Sequence, residues 1–145
     1  MDDLPTLRAL VPSDAAQALI LYNELTVGPP QNDAAAFEAV LAHPGTTVYG
    51  AFVGQDLAAM VTLHLLPNVL WNARPYALIE NVVTRQEFQR RGLGRRVMEH
   101  AVAAAWAADA YKVMLMTGQK RGAKGFYEAV GFSSEDKFAM VMRRP

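Results

Sequence analysis

Hydrophobic and polar positions follow two different periods along the chain, and these periods predict an alternation of strands and helices. Short runs rich in β-branched and aromatic residues predict strands, whereas apolar residues spaced three or four apart predict helices. The predicted strands are residues 6–10, 46–53, 57–66, 76–84, 111–117 and 137–143. The predicted helices are residues 12–25, a short helix after residue 33, 93–108 and 123–130. This order predicts an α/β layered domain with a mixed sheet.

Residues at the ends of these elements support the assignment. Asp33 is a type of residue that caps helix N-termini, and Gly131 suits the C-terminal end of the last helix. The turn at 54–56 (Gly-Gln-Asp) predicts a hairpin between two strands. The strand, helix and strand between residues 76 and 117 predict a right-handed parallel crossover.

Several sets of residues are expected to face the core. One stripe of the long helix presents mostly small residues to the sheet, namely Leu93, Val97, Ala101 and Ala105. The short helix is expected to present Phe37, Val40 and Leu41 on one face. Four methionines alternate along the last two strands and are interpreted as core or edge residues: Met114, Met116, Met140 and Met142.

Composition narrows the possible functions. The 145 residues fit one domain over residues 1–145, and 52% of them are hydrophobic. The 14 basic and 14 acidic residues give no net charge, which argues against a nucleic-acid partner. The absence of cysteine excludes disulfides, thiolate zinc sites and cysteine nucleophiles, and three isolated histidines predict no metal site. Neither a signal peptide nor a long apolar run is evident, so we expect a cytoplasmic protein without a membrane contact.

The stretch Glu87–Met98 (EFQRRGLGRRVM) places two glycines and four arginines at the beginning of the long helix. Each glycine costs a helix about 1 kcal/mol relative to alanine. The free N–H groups at a helix N-terminus attract phosphates, and glycines let a phosphate approach the backbone closely. The pattern is neither a P-loop nor Gly-x-Gly-x-x-Gly. A basic helix end with glycines in a tight turn remains the alternative interpretation.

Two motifs give the chain a resemblance to a known family. Residues 89–94 match Gln-x-x-Gly-x-Gly, and residues 125–132 (GFYEAVGF) match Phe-Tyr-x-x-x-Gly-Phe. With the order of elements over nearly the whole chain, these motifs resemble the GNAT superfamily of acetyl-CoA-dependent N-acetyltransferases. The resemblance implies a single-domain three-layer fold with a mixed, splayed central sheet.

The resemblance also implies a site for acetyl-CoA as co-substrate. The exposed backbone of Val82, Val83 and Thr84 would pair with the pantetheine arm where two parallel strands splay. The pyrophosphate would be held by backbone amides beside Gln89, those of Arg90, Arg91, Gly92, Leu93, Gly94 and Arg95. Tyr127 would protonate the departing thiolate. The sequence departs from the family pattern at Lys120, where an asparagine is common, although Lys120 or Arg121 could contact a phosphate instead.

Acyl transfer to an amine requires a base, because most amines are protonated at neutral pH. Glu80 is the candidate, since charged residues are uncommon in a central strand; a solvent-facing or salt-bridged glutamate is the alternative. His64 could face the acceptor, but a lone histidine on a strand is more often a hydrogen-bonded sheet residue. Tyr22, Trp71 and Asn72 could line the acceptor site, and for Trp71 packing or a dimer contact is an equal alternative.

These observations predict direct transfer of an acetyl group to a primary amine of a small molecule or peptide. A non-catalytic acyl-CoA-binding sensor or partner module is the alternative from another class. A nucleic-acid-binding domain is disfavoured because the chain has no net charge and no evident aromatic platform. A homodimer is possible, because members of the family are commonly dimers.

Overall fold

The protein is described here from a computed structural model, which covers residues 4–25 and 28–145. A single sheet has the strand order β1-β2-β3-β4-β5, antiparallel between the first four strands and parallel between the last two. The strands are β1 (Thr6–Ala9), β2 (Thr46–Val53), β3 (Asp56–Leu66), β4 (Tyr76–Thr84) and β5 (Val113–Met114). The helices are α1 (Ala15–Leu25), α2 (Ala34–Ala42), α3 (Leu70–Ala73), α4 (Leu93–Ala107) and α5 (Lys124–Val130). Short 3-10 turns cover Pro12–Asp14, Gln86–Phe88 and Gln119–Arg121.

Helices cover both faces of the sheet, which confirms the predicted three-layer fold. On one face, α4 packs against the central strands through the predicted stripe of four residues spaced four apart, and all four are buried. On the other face, α1 and α2 cover a second cluster that includes Leu21, Phe37 and Met60. Both clusters form because strands buried on two faces need an apolar layer on each.

The predicted end signals are confirmed. The Asp33 carboxylate accepts a hydrogen bond from the Ala36 N–H at 3.1 Å and caps α2. Gly131 ends α5 in the left-handed region at φ 116°, which glycine adopts without a steric penalty. The β2–β3 hairpin closes with Val53 opposite Asp56, and Gly54 has φ 60° in the turn.

An ion pair fixes the chain before α1. The Arg8 guanidinium donates two hydrogen bonds, of 2.8 and 2.9 Å, to the Asp14 carboxylate. The Val11 N–H donates to the same carboxylate at 2.8 Å. These donors, led by Arg8, hold the pKa of the buried Asp14 carboxyl below its usual range.

The central feature of the sheet is a divergence of β4 and β5. The β3–β4 register gains one residue on β4 between its pairings with Thr62 and Met60, and Asn81 in this bulge has φ 53°. The β4–β5 ladder ends at Leu78 and Met114, although β4 continues to Thr84. Among the described residues, no strand therefore pairs with residues 79–84 on the side that faced β5.

Three predictions about the periphery are wrong. The last parallel strand covers two residues instead of 111–117, because β4 and β5 separate so early. Residues 137–143 form no strand, and the side chains of Met140 and Met142 are 89% and 97% exposed rather than core or edge residues. On α2 Phe37 is buried and Leu41 is half-buried against the second cluster, as predicted, but Val40 faces solvent.

The segment 67–74, between two predicted strands, contains one short helical turn. Trp71, Asn72 and Ala73 have φ between 54° and 60°, values that non-glycine residues adopt rarely. Among residues 4–25 and 28–145, no helix is both long and apolar enough to cross a membrane.

Candidate functional site

A cleft of about 420 Å³ opens along the last residues of β4, beyond the end of its ladder with β5. Three strand residues singled out from the sequence lie along it, and Gln89 lies beside them. The residues that line the cleft are Glu24, Leu25, Val82, Val83, Thr84, Gln86, Gln89 and Arg121. The unpaired edge of β4 therefore opens into a space of ligand size.

The N-terminus of α4 follows β4 after the turn at Gln86–Phe88. The first intrahelical bond of α4 runs from the Arg96 N–H to the Gly92 carbonyl at 3.1 Å. The N–H groups of Leu93, Gly94 and Arg95 precede this first helical donor and thus have no acceptor within the helix. Their dipoles add partial positive charge at this end.

The two glycines have different structural roles. Gly92 has φ 74° and no atom within 4 Å of the position that a Cβ would occupy, so open space lies beside it. Gly94 is buried, and a Cβ there would lie 2.8 Å from the Thr84 hydroxyl oxygen and 3.5 Å from the Phe126 ring. Gly94 therefore lets α4 approach the end of β4 and α5, whereas Gly92 leaves the helix end accessible.

The four arginines are not equivalent. Arg95 forms an ion pair with Glu99 at 2.8 Å, one turn further along α4. The Arg91 guanidinium lies over the Phe88 ring at 5.4 Å. Arg90 and Arg96 are exposed, and within the described part of the chain neither has a side-chain partner. Two of the four charges are thus free to meet an anion.

Two hydrogen bonds hold the segment between β4 and α4 in place. The Gln89 amide donates to the Thr84 carbonyl at 3.3 Å, which ties the loop to the end of β4. The Glu24 carboxylate of α1 accepts a hydrogen bond from the Gln86 N–H at 2.9 Å. Gln89 therefore has a positioning contact in addition to its place at the cleft.

Glu80 and Tyr127 come from distant parts of the sequence to the same region. Glu80 is half-buried on β4, opposite Thr62 of β3. Burial raises the pKa of the Tyr127 hydroxyl; the nearby Arg121 charge lowers it, and the Glu80 charge raises it. Because the pKa of Tyr127 is raised, its hydroxyl keeps its proton at neutral pH. The ring packs between Phe126 and Phe132, at centroid distances of 5.1 and 6.3 Å.

A polar row lies on the face of the sheet that Glu80 shares with Thr62. Burial raises the pKa of Tyr22 on α1, and a hydrogen bond with Thr62 lowers it. His64 is two residues further along β3 than Thr62, and its ring Nδ1 lies 2.8 Å from the Thr46 hydroxyl oxygen. That oxygen in turn lies 3.0 Å from the Nδ1 of His43. Tyr22 and His64 therefore lie on the same side of the sheet as the carboxylate, and His64 is a hydrogen-bonded sheet residue.

Trp71 and Asn72 lie elsewhere. Trp71 stacks on Tyr111 at 5.7 Å, and Tyr111 contacts Tyr76 at the first residue of β4. The cleft residues of β4, 82–84, lie six to eight positions further along the strand than Tyr76, or roughly 20–26 Å away. Trp71 therefore has a packing contact with Tyr111, and a place at the acceptor site or in a dimer contact stays a prediction.

Several residues of the site could not be found by pattern. Glu24 and Leu25 reach the cleft from α1, and no local motif marks them. Of the two alternatives considered for a phosphate contact, Arg121 lines the cleft and Lys120 does not.

The Thr117 hydroxyl, just beyond β5, is buried with no hydrogen-bond partner within the described residues. Such a group is an unused polar contact beside the divergence of the strands.

A second depression of about 330 Å³ lies at the other edge of the sheet, beside β1. Its charged lining residues are Arg8 and Asp14, which are bonded to each other. Because both charges are already paired, this depression is a poorer candidate for binding an anion than the cleft at β4. Within the described residues no cluster of histidine and acidic side chains could hold a metal ion.

Comparisons with known proteins identify the family of the chain. The model of the acetyltransferase (GNAT) family matches residues 15–132. A solved structure assigned as an acetyltransferase from Agrobacterium tumefaciens is 41% identical, with a TM-score of 0.90 over 96% of this chain and 99% of that one. No curated protein matches the sequence.

Two more distant structures share the fold. Glucosamine-6-phosphate N-acetyltransferase from Arabidopsis thaliana is 23% identical, with a TM-score of 0.81 over 99% of both chains. An acetyltransferase from Trypanosoma brucei is also 23% identical, with a TM-score of 0.81 over 96% of this chain and 99% of that one. The family match over most of the sequence and the 41% identical relative lead to one conclusion: the chain belongs to the GNAT family of acetyltransferases.

Proposed function

We propose that the protein transfers an acetyl group from acetyl-CoA directly to a primary amine of a small molecule or peptide. The observation that carries this proposal is the cleft along the end of β4, together with the N-terminus of α4, which begins four residues after Gln89 at the cleft. Membership of the GNAT family supports acetyl-CoA as the acyl donor. Acetyl-CoA supplies the acyl thioester when it is bound.

The cleft suits a coenzyme with a pyrophosphate and an amide-containing arm. The N–H groups of residues 90–95 would bind the pyrophosphate, because open space adjoins Gly92 and the helix dipole favours an anion. The backbone of residues 82–84 would pair with the arm, since no strand occupies that side of β4. Arg121 lines the same cleft and adds a positive charge. The buried Thr117 hydroxyl is a further donor or acceptor for the arm.

Glu80 would remove the proton from the amine. The carboxylate is half-buried on a central strand, and none of the salt bridges within the described residues involves it. It is therefore free to accept a proton, directly or through a water molecule. The hydrogen-bonded Tyr22 and Thr62 beside it would orient an incoming amine.

Tyr127 would give a proton to the departing sulfur. Its raised pKa keeps the hydroxyl protonated at neutral pH, which a general acid requires. The aromatic rings on either side fix its position. With no cysteine in the chain, no cysteine-linked acyl-enzyme can form, so we propose a ternary complex. A cytoplasmic location stays a prediction from the sequence.

The test is a screen of amines with acetyl-CoA and a readout of free thiol. The panel comprises polyamines, aminoglycosides, amino acids, peptides and amino sugars, with Glu80→Gln as the matched control. We expect at least one amine to accelerate thiol release by the wild-type protein and to lose that effect in the control. Coenzyme binding with no amine-dependent release would favour the non-catalytic binding module instead.

A further inference from the structure

The sheet has a half-buried area on the face that carries Glu80. On β4, Leu78 and Tyr76 lie two and four residues before Glu80, so their side chains point to the same face. The residues paired with these two across the ladders are His64 and Leu66 on β3 and Met114 on β5. We refer to the four aliphatic and aromatic side chains of this area, Leu66, Tyr76, Leu78 and Met114, as the sheet floor.

The sheet floor lies outside both hydrophobic cores. Each of its four residues is half-buried, and neither core cluster within the described residues includes any of them. On this face α1 and α2 cover the other end of the strands, and Tyr22 of α1 reaches as far as Thr62. Along β3 burial falls accordingly, from 2% exposure at Thr62 to half-burial at His64 and Leu66. The floor therefore begins beside Glu80, which is paired with Thr62, and it offers apolar surface to a ligand.

An ammonium group without a carboxylate partner lies at the far end of the floor. The Lys112 carbonyl accepts a hydrogen bond from the Ala77 N–H at 2.9 Å, which holds Lys112 beside Tyr76. The Lys112 Nζ lies 5.5 Å from the centre of the Tyr76 ring and 5.2 Å from that of Tyr111. None of the salt bridges within the described residues involves Lys112, although the residue is half-buried. The two rings attract the charge, and its N–H donors stay available to an anion.

Opposite charges therefore lie at the two ends of the floor. Glu80 and Tyr76 are four residues apart on one strand, a separation of roughly 13 Å between their Cα atoms. Because the side chains of glutamate and lysine each reach several ångströms, a ligand of roughly 10 Å with a charge at each end would contact both. Leu78 lies between the two ends and suits an apolar middle.

We propose that the sheet floor binds the acceptor, and that the acceptor is a small elongated amine with an apolar body and an anionic group at its far end. The amine would meet Glu80, the body would lie over Leu78 and Met114, and the anion would meet Lys112. Burial of the body would contribute affinity, whereas the two charges would orient the molecule so that its amine points towards the coenzyme cleft. The acceptor so defined is the amine of the proposed acetyl transfer, on which the inference rests.

A matched pair of amines tests the far end of the floor. Extended ω-aminooctanoate has about the required length between its ammonium and its carboxylate, and ω-aminooctanamide has the same length without the negative charge. With acetyl-CoA and a readout of free thiol, we expect kcat/KM to be roughly tenfold higher for the acid, mainly through KM. Lys112→Met keeps the apolar stem and removes the charge, so the acid should lose its advantage while use of the amide is unchanged. Lys137→Met, at an exposed lysine elsewhere, should preserve the wild-type ratio.

The length of the acceptor tests the middle of the floor. Leu78→Thr replaces an apolar side chain by a shorter polar one that suits a strand equally well. We expect this variant to raise the KM of both octyl compounds roughly tenfold, because both lose apolar contact. The KM of ethylamine should stay within a factor of about two, because ethylamine is too short to reach from Glu80 to Leu78.

Calorimetric titration of the coenzyme-A-saturated protein with ω-aminooctanoate separates acceptor binding from acetyl transfer. Binding that weakens roughly tenfold in Lys112→Met, with no thiol release from any amine, would support the floor and reject the transfer. Thiol release from both octyl compounds at equal kcat/KM, unchanged by Lys112→Met, would keep the transfer and overturn the anionic acceptor. The floor itself would be rejected if ω-aminooctanoate did not bind the wild-type protein, or if it bound both Lys112→Met and Leu78→Thr as tightly.

Discussion

Replacing Gly92 by aspartate or by asparagine separates charge from shape at the N-terminus of α4. Gly92 has φ 74° and open space beside it, so either side chain fits without a collision. Aspartate and asparagine enter the left-handed region more readily than other non-glycine residues, at a cost of about 1 kcal/mol. The two variants therefore carry the same strain and differ by one charge.

The electrostatic effect can be estimated from the proposed position of the pyrophosphate. Two unit charges 5 Å apart repel by about 3 kcal/mol at an effective dielectric constant near 20, and by about 0.8 kcal/mol in water. Gly92 is exposed, so the repulsion should lie between these limits. We therefore expect Gly92→Asp to bind coenzyme A roughly 10- to 100-fold more weakly than Gly92→Asn.

The thermal stability of the two variants should differ in the opposite direction from their affinity for coenzyme A. A carboxylate at the positive end of the helix dipole is favoured by about 0.5 kcal/mol, so Gly92→Asp should unfold at or above the temperature of Gly92→Asn. Calorimetric titration with coenzyme A and thermal unfolding without ligand measure the two quantities separately. Equal coenzyme affinity in the two folded variants would refute the placement of the pyrophosphate at this helix end.

Three further predictions concern the proposed base, the proposed acid and the ion pair before α1. Glu80→Gln should lower turnover by roughly 100-fold at neutral pH and recover in part as pH rises and free amine accumulates; a wild-type pH profile of the variant would return Glu80 to a structural role. Tyr127→Phe should lower turnover by roughly 10- to 100-fold with coenzyme affinity within a few-fold of wild type, and full turnover in the folded variant would reject the acid role. Asp14→Asn should destabilise the fold by about 2 kcal/mol at neutral pH, because the pKa of Asp14 is lowered in the native state. The full difference in unfolding free energy between the variant and the wild type should be present above about pH 4, and it should shrink as pH falls through the lowered pKa of Asp14. A difference in urea unfolding that does not change with pH would exclude this cause.

The parts of the fold that could be predicted depend on neighbours in sequence. Asp33 caps α2 through a residue three positions away, and Gly131 ends α5 through its own backbone angle. The stripe on α4 is a property of one helix, and it is buried as its spacing predicts. Each of these features is determined within about one turn of the chain.

The errors arise where a strand must find a partner. Residues 111–117 have strand-forming composition, but their pairing depends on the path of β4, which the bulge at Asn81 alters. Residues 137–143 have the alternating pattern of a strand, but that pattern does not determine which sheet edge the segment pairs with. Strand propensity is a property of one segment, whereas strand pairing depends on the geometry of two segments.

The candidate site divides in the same way. Residues 82–84 and the motif at 89–94 are close in sequence, so the family resemblance predicts roles for both together. Glu24, Leu25 and Arg121 reach the cleft only through packing of α1 and the turn before α5. The buried contact between Gly94 and Thr84 is also invisible to the pattern, and it makes Gly92 the cleaner position for a test of the pyrophosphate site.

Thermal unfolding with coenzyme A tests the central claim most directly. At fixed protein concentration, a coenzyme concentration 100-fold above its dissociation constant should stabilise the native state by about 2.7 kcal/mol. For a chain of this size that corresponds to a rise in Tm of roughly 5–11 °C. Pantetheine, which lacks the pyrophosphate, is the control and should raise the Tm much less at the same concentration. A Tm that saturating coenzyme A leaves unchanged, or that pantetheine raises equally, would contradict a coenzyme site at the junction of β4 and α4.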